Sequence, residues 1–131
     1  MRQLACRVAP LASLNRGSAV KPIAIVTLLL ATQALAHHGW SEYDTGQPLQ
    51  LVGTIEASGY EHPHGFARLK TADKTWTVVL APPTRMENRG LTKDMLAPGN
   101  RASVHGYPNR NKPDELRAER ITVNEKTMEL R

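Results

Sequence analysis

The chain has 131 residues, with 17 Lys+Arg, 12 Asp+Glu, five His and one Cys. Four of the basic residues, Arg2, Arg7, Arg16 and Lys21, fall in an N-terminal stretch without acids, so residues 37–131 carry 13 basic against 12 acidic side chains. That near-neutral balance excludes the basic field on which nucleic-acid binding depends. Removal of the stretch would also take Cys6 with it, leaving no disulfide to brace a domain.

Residues 1–36 have the three zones of a cleavable secretory signal peptide: a basic zone to Lys21, an apolar run from Ile23 to Ala31, and a small-x-small ending at Ala34-Leu-Ala36. The apolar stretch from Pro22 to Leu35 contains Thr27 and Gln33 and is shorter than the roughly 20 residues of a membrane-spanning helix. The expectation is an exported protein, periplasmic or secreted, with no stable membrane insertion after cleavage. Its working chain begins at His37, and all five histidines stay in it.

Residues 37–48 lack any period and end in turn residues. They read as an extended N-terminal arm, with Trp40 and Tyr43 available to pin it. Residues 49–131 read as one β-barrel domain. Leu49–Ala57 is a strand with Leu49, Leu51 and Ile55 on one face, and Gly53 inside it marks a bulge or bend. His64–Thr71 is a second strand, and Ala72-Asp73-Lys74 turns into Thr75–Ala81, where Trp76, Val78 and Leu80 alternate onto one face. Thr84 is a candidate cap for a short helix that Gly90 closes. A turn from Thr92 to Leu96 stops at Pro98-Gly99. Strands then follow at Asn100–Tyr107, Glu115–Val123 and Lys126–Leu130. Three strands, a helix and two or three strands is the order of a mainly β, OB-like barrel of five to six strands. A β-sandwich needs more strands in this length.

The ordered set Ala36-His37-His38-Gly-Trp40, Leu51-Val-Gly53-Thr-Ile55, Pro63-His64, Trp76-Thr-Val-Val-Leu-Ala-Pro-Pro83, Arg89-Gly90-Leu91, Pro98-Gly99 and Val104-His-Gly106-Tyr-Pro108 spans the chain after the leader. In it the protein resembles a family of short exported bacterial proteins, domain-of-unknown-function family 6152. The resemblance implies an exported small β-domain and brings no activity with it. Where that family reads Asn-Pro-His, this chain has His62-Pro63-His64, which removes an amide and adds an imidazole.

Two constellations have the chemistry of a metal site. Cleavage after Ala36 makes His37 the first residue, and its α-amine and imidazole can chelate one ion, with His38 adding a nitrogen. Copper(II) favours such nitrogen-rich tetragonal sites. In His62-Pro63-His64, an extended backbone would project both imidazoles to one side, a spacing that suits copper, zinc or nickel but falls short of a full site. His105 is out of phase with the core face and reads as a solvated strand residue. Arg85, Arg89, Arg110, Arg117 and Arg120, dispersed among acids, read as solvated too. The sequence has no Gly-x-Ser-x-Gly elbow, phosphate loop or His-Glu-x-x-His, and no cysteine outside the leader.

The reading is a non-enzymatic binding module whose metal candidates are His37, His38, His62 and His64, with copper preferred. The alternative is a metal-free structural or protein-interaction module with an envelope protein as partner. An oxidative copper enzyme ranks third.

Overall fold

The computed structural model describes residues 39–131. The expected leader, residues 1–36, and the candidate ligands His37 and His38 lie outside the described residues. Six strands form one sheet: β1 (Leu49–Gly59), β2 (Phe66–Lys70), β3 (Thr75–Val79), β4 (Arg101–Pro108), β5 (Glu115–Val123) and β6 (Lys126–Glu129). A short helix, α1 (Pro83–Asn88), and a 3₁₀ turn (Asp94–Leu96) lie between β3 and β4.

The sheet runs β3-β2-β1-β4-β5-β6, and β3 pairs again with β5. That second pairing closes five strands into an OB-like barrel, with β6 added to the outside of β5. The closing contact is parallel, joining Thr77–Val79 to Glu115–Arg117; the other strand pairs are antiparallel. The sequence expectation of a five- to six-stranded barrel with a helix after β3 is what the chain forms.

Two strands each serve several neighbours, and glycine makes this possible. β1 pairs with β4 from Leu49 to Thr54 and with β2 from Thr54 to Gly59. At Gly53, on the inside of that bend, a Cβ would run into the carbonyl oxygen of Lys70. Gly106 sits at the register shift between β4 and β5, where a Cβ would strike the carbonyl of Arg117. Only a residue without a side chain permits such close backbone approach.

The alternating apolar positions converge as the pattern requires. Ile55, Leu69, Val78, Val104, Leu116 and Ile121 are almost completely buried. Each such side chain contributes about 2 kcal/mol on leaving water. Trp76 is half-buried and packs against this core from outside, with the Lys74 ammonium 4.1 Å from its ring centroid.

Two local expectations differ from the structure. The helix starts at Pro83, one residue before Thr84, and no side chain caps it. Proline at the first helical position has no N–H to satisfy and a φ already suited to the helix. Gly90 closes the helix as expected, at φ 83°, through bonds from Gly90 N–H to the Glu87 carbonyl and from Leu91 N–H to the Met86 carbonyl. Buried Leu91 and Met86 accompany this Schellman arrangement. Strand β2 begins at Phe66, so His64 lies in the loop before it.

The crowding at Gly106 gives a direct test. Gly106→Ala should destabilise the barrel by about 2 kcal/mol or more, the cost of overpacking against backbone that cannot move aside. Urea denaturation of the two proteins measures it.

Candidate functional site

The residues before β1 are tied to the segment that links β4 and β5. Tyr43 N–H bonds the Trp40 carbonyl at 3.0 Å, making a turn, and Asp44 N–H bonds the Pro108 carbonyl at 2.9 Å. Tyr43 and Asn109 form an isolated antiparallel bridge, and Arg110 N–H reaches the Glu42 carbonyl at 2.8 Å. Tyr43 is 6% exposed, and its hydroxyl donates to Glu115 at 2.7 Å. Asn109 donates to the same Glu115 oxygen at 2.9 Å. Burial first, then the bond to Glu115, push the Tyr43 phenol far above its ordinary range. Burial alone would raise the Glu115 carboxyl, but the bonds from Tyr43 and Asn109 and the charge of Lys112 outweigh it and hold it low.

Beneath this arm lies Arg117. On β5, Leu116 and Ala118 point into the core, so Arg117 points outward. The arm covers that outer face, and Arg117 is only 8% exposed. Its Nη1 donates to the Gly39 carbonyl, and its Nη2 lies 3.2 Å from Nε2 of His64. The guanidinium carbon is 4.5 Å from the Trp40 ring centroid and 5.8 Å from that of Tyr43. A second guanidinium, Arg131, lies 4.7 Å from the same indole. Both are cation–π contacts, which strengthen when water is excluded.

A guanidinium only donates, so His64 Nε2 is the acceptor and the imidazole is neutral with its proton on Nδ1. Burial is the main cause that lowers the His64 pKa, followed by the charges of Arg117 and Arg85. Burial likewise lowers that of Arg117.

A smaller cluster adjoins. The Tyr107 hydroxyl donates to Glu119, which also pairs with Arg131 at 3.6 Å and lies 3.8 Å from His105 Nε2. The Tyr107 bond leads the causes that hold Glu119 below its usual range. Tyr107 also meets Trp40 edge to face, with centroids 6.0 Å apart.

Of the histidines expected from sequence, His37 and His38 lie outside the described residues, and His62 and His64 meet different surroundings. His62 is exposed in the β1–β2 loop, before a cis bond to Pro63, while His64 is half-buried and turned to Arg117. The segment is a bend rather than an extended strand, so the two imidazoles meet different surroundings. His105 is half-buried beside Glu119 and Tyr107. Among the described residues, no group of three or more His, Cys, Asp or Glu is placed to hold a metal ion.

Arg117 is the functional group that sequence reading assigns wrongly, to a solvated face. Strand alternation does place it outward, but the arm then buries that outward face. The signal that could have found it is the pair Trp40 and Tyr43, two large aromatics in a short polar arm that need a surface to cover.

Residues 25–116 match a family described as "Family of unknown function (DUF6152)". The chain belongs to this family. No curated protein matches it. Solved structures that it resembles in part include a crystal structure of the S. pombe Stn1-ten1 complex, at 20% identity and a TM-score of 0.49 over 60% of this chain and 59% of that one. Another is the ZRD-deleted mutant of TiaS in complex with agmatine, at 21% identity and a TM-score of 0.45 over 67% of this chain and 25% of that one. The chain thus spans about three-fifths of the first relative and a quarter of the second. The assignment of the DUF6152 chain as a small β-barrel rests on its own strand pairing.

The His64–Arg117 contact predicts a pH dependence. The folded pKa of His64 lies below the ordinary histidine value of 6.5, so the unfolded chain binds this proton more readily. The stability associated with neutral His64 is fully present above pH 6.5 and is lost as pH falls through the depressed folded value. Glu115 and Glu119 act in a separate window, because their depressed values lose stability only below pH 4.5. Melting temperatures should therefore decline from pH 7.5 to pH 5 in the native protein, and decline less in His64→Gln. Equal slopes would contradict the assignment.

Proposed function

We propose that this protein is an exported, non-enzymatic binding module that takes a transition-metal ion, copper by preference, at the start of its processed chain. The observation that carries the reading is the clamp at Gly39, whose carbonyl is held by the buried Arg117 against the barrel. Covalent geometry keeps a chain starting at His37 within about 7 Å of that anchor. The amine and imidazole of His37, with the imidazole of His38, then supply nitrogen ligands of the kind copper(II) favours. His62, exposed in the nearby β1–β2 loop, is a further candidate. His64 enters differently, because its Nε2 is taken by Arg117 and two guanidiniums act on it. It serves the clamp, and ligates only if that contact opens.

Export follows from the three zones of residues 1–36 and makes the terminal amine available. The mass of the exported protein should correspond to His37 as first residue; an intact leader would remove the terminal ligand. Copper(II) titrated into the processed protein, followed by calorimetry, should bind more tightly than to a form with Met placed before His37. Equal affinities would overturn the terminal-amine site.

A second reading, a metal-free protein-interaction module of the envelope, is favoured by the half-buried Trp40 with the exposed Arg131 guanidinium 4.7 Å from its ring centroid. Trp, Tyr and Arg are the residue types that dominate protein interfaces. Under it, His37→Ala leaves partner binding unchanged and Trp40→Ala weakens it.

A further inference from the structure

Among the described residues, no carboxylate forms an ion pair with the buried Arg117 guanidinium. Arginine stays protonated in proteins, and a buried guanidinium is costly unless an anion or a full set of acceptors meets it. Among the described residues, the acceptors that meet its N–H donors are the Gly39 carbonyl and His64 Nε2, both neutral. All 12 acidic side chains lie within the described residues, because residues 1–38 contain no Asp or Glu. None of them forms an ion pair with Arg117. Glu115 is engaged by Tyr43, Asn109 and Lys112, and Glu119 by Tyr107 and Arg131.

The surroundings add positive charge. Arg85, on the exposed side of α1, acts electrostatically on both Arg117 and His64, and its own Nη1 bonds the Leu130 carbonyl at 3.3 Å. Arg131 lies against the Trp40 indole that also covers Arg117. Glu119 is engaged by Arg131 and Tyr107, whereas Arg85 is exposed and has no carboxylate partner among the described residues. Trp40 and Tyr43 keep water from the guanidinium face, which strengthens any charge-assisted bond formed there.

We propose that the end of the barrel bounded by Arg117, Arg85 and His64 is an oxyanion site that receives a carboxylate or phosphate group. The anion supplies the missing negative charge, with exposed Arg85 as its point of entry and buried Arg117 as its anchor. The fork of a guanidinium matches the paired oxygens of either group. This site goes beyond the copper reading and does not rest on it.

The test uses the processed protein in excess EDTA, so that no transition metal takes part and failure here leaves the copper reading untouched. Inorganic phosphate and acetate are titrated separately, with ionic strength held constant by chloride, and melting temperature and tryptophan fluorescence are followed. At least one of the two should give a saturable stabilisation that chloride does not, and which one does so identifies the group received. Arg85→Gln should weaken that binding about tenfold, the weight of one charge-assisted hydrogen bond. Arg101→Gln, an exposed arginine at the other end of β4, should leave it unchanged. Arg117→Met should abolish it, and Arg85→Gln decides the matter if the Met variant does not fold. A response no larger than that to chloride, or one that Arg85→Gln leaves intact, overturns the proposal.

Discussion

Closing a five-stranded sheet into a barrel requires β5 to hold β3 on one side and β4 on the other over the same short run. Leu116 and Arg117 are where this happens: Arg117 is paired with Val79 of β3 and with Tyr107 of β4. Backbone hydrogen bonding on both sides fixes the Cα of Arg117 and the direction of its side chain before any side-chain contact is considered. The site therefore inherits its rigidity from the closure of the barrel. Gly106, opposite that run, is needed for the same reason, because β4 can approach the Arg117 carbonyl only without a Cβ.

Around that fixed point, charge and burial oppose each other. The arm buries apolar ring surface on Tyr43 and Trp40, which favours docking. Docking also takes a guanidinium out of water beside a second arginine, which disfavours it. Cation–π contacts, the Gly39 carbonyl and the neutral His64 offset part of this cost. Arm position, His64 protonation and the occupancy of the Arg117 end are thus coupled: whatever changes one changes the free energy of the others. The copper and oxyanion readings draw on opposite ends of this arrangement, one on the chain preceding Gly39 and the other on the charge beneath it.

The barrel was largely legible in the sequence because its signals are local. Alternation in Thr75–Ala81, glycine at 53 and at 90, and Pro98-Gly99 each depend on neighbours a few residues away. The helix start was misplaced by two residues, because Thr84 is a plausible cap while Pro83 is an equally good first helical residue with Pro82 as its cap, and only packing decides between them. The site was less legible for a related reason. Alternation correctly sends Arg117 outward, yet no local pattern says that residues 39–44 will fold back across that face, some 75 positions away in the chain. The His62-Pro63-His64 motif was legible as composition but not as geometry. Its pairing of imidazoles assumed an extended backbone, and the chain bends there instead, leaving one ring in solvent and one against Arg117.

Strand β6 has a consequence of a different kind. Full closure leaves a barrel without free sheet edges, but a sixth strand hung on β5 brings one back. Such an edge is a place for another strand to add. This one is four residues long, begins with Lys126, ends with Glu129, and buries only Met128. A strand that short and that charged offers little to an incoming chain, so the barrel gains the cover of β6 over β5 without becoming a template for polymerisation.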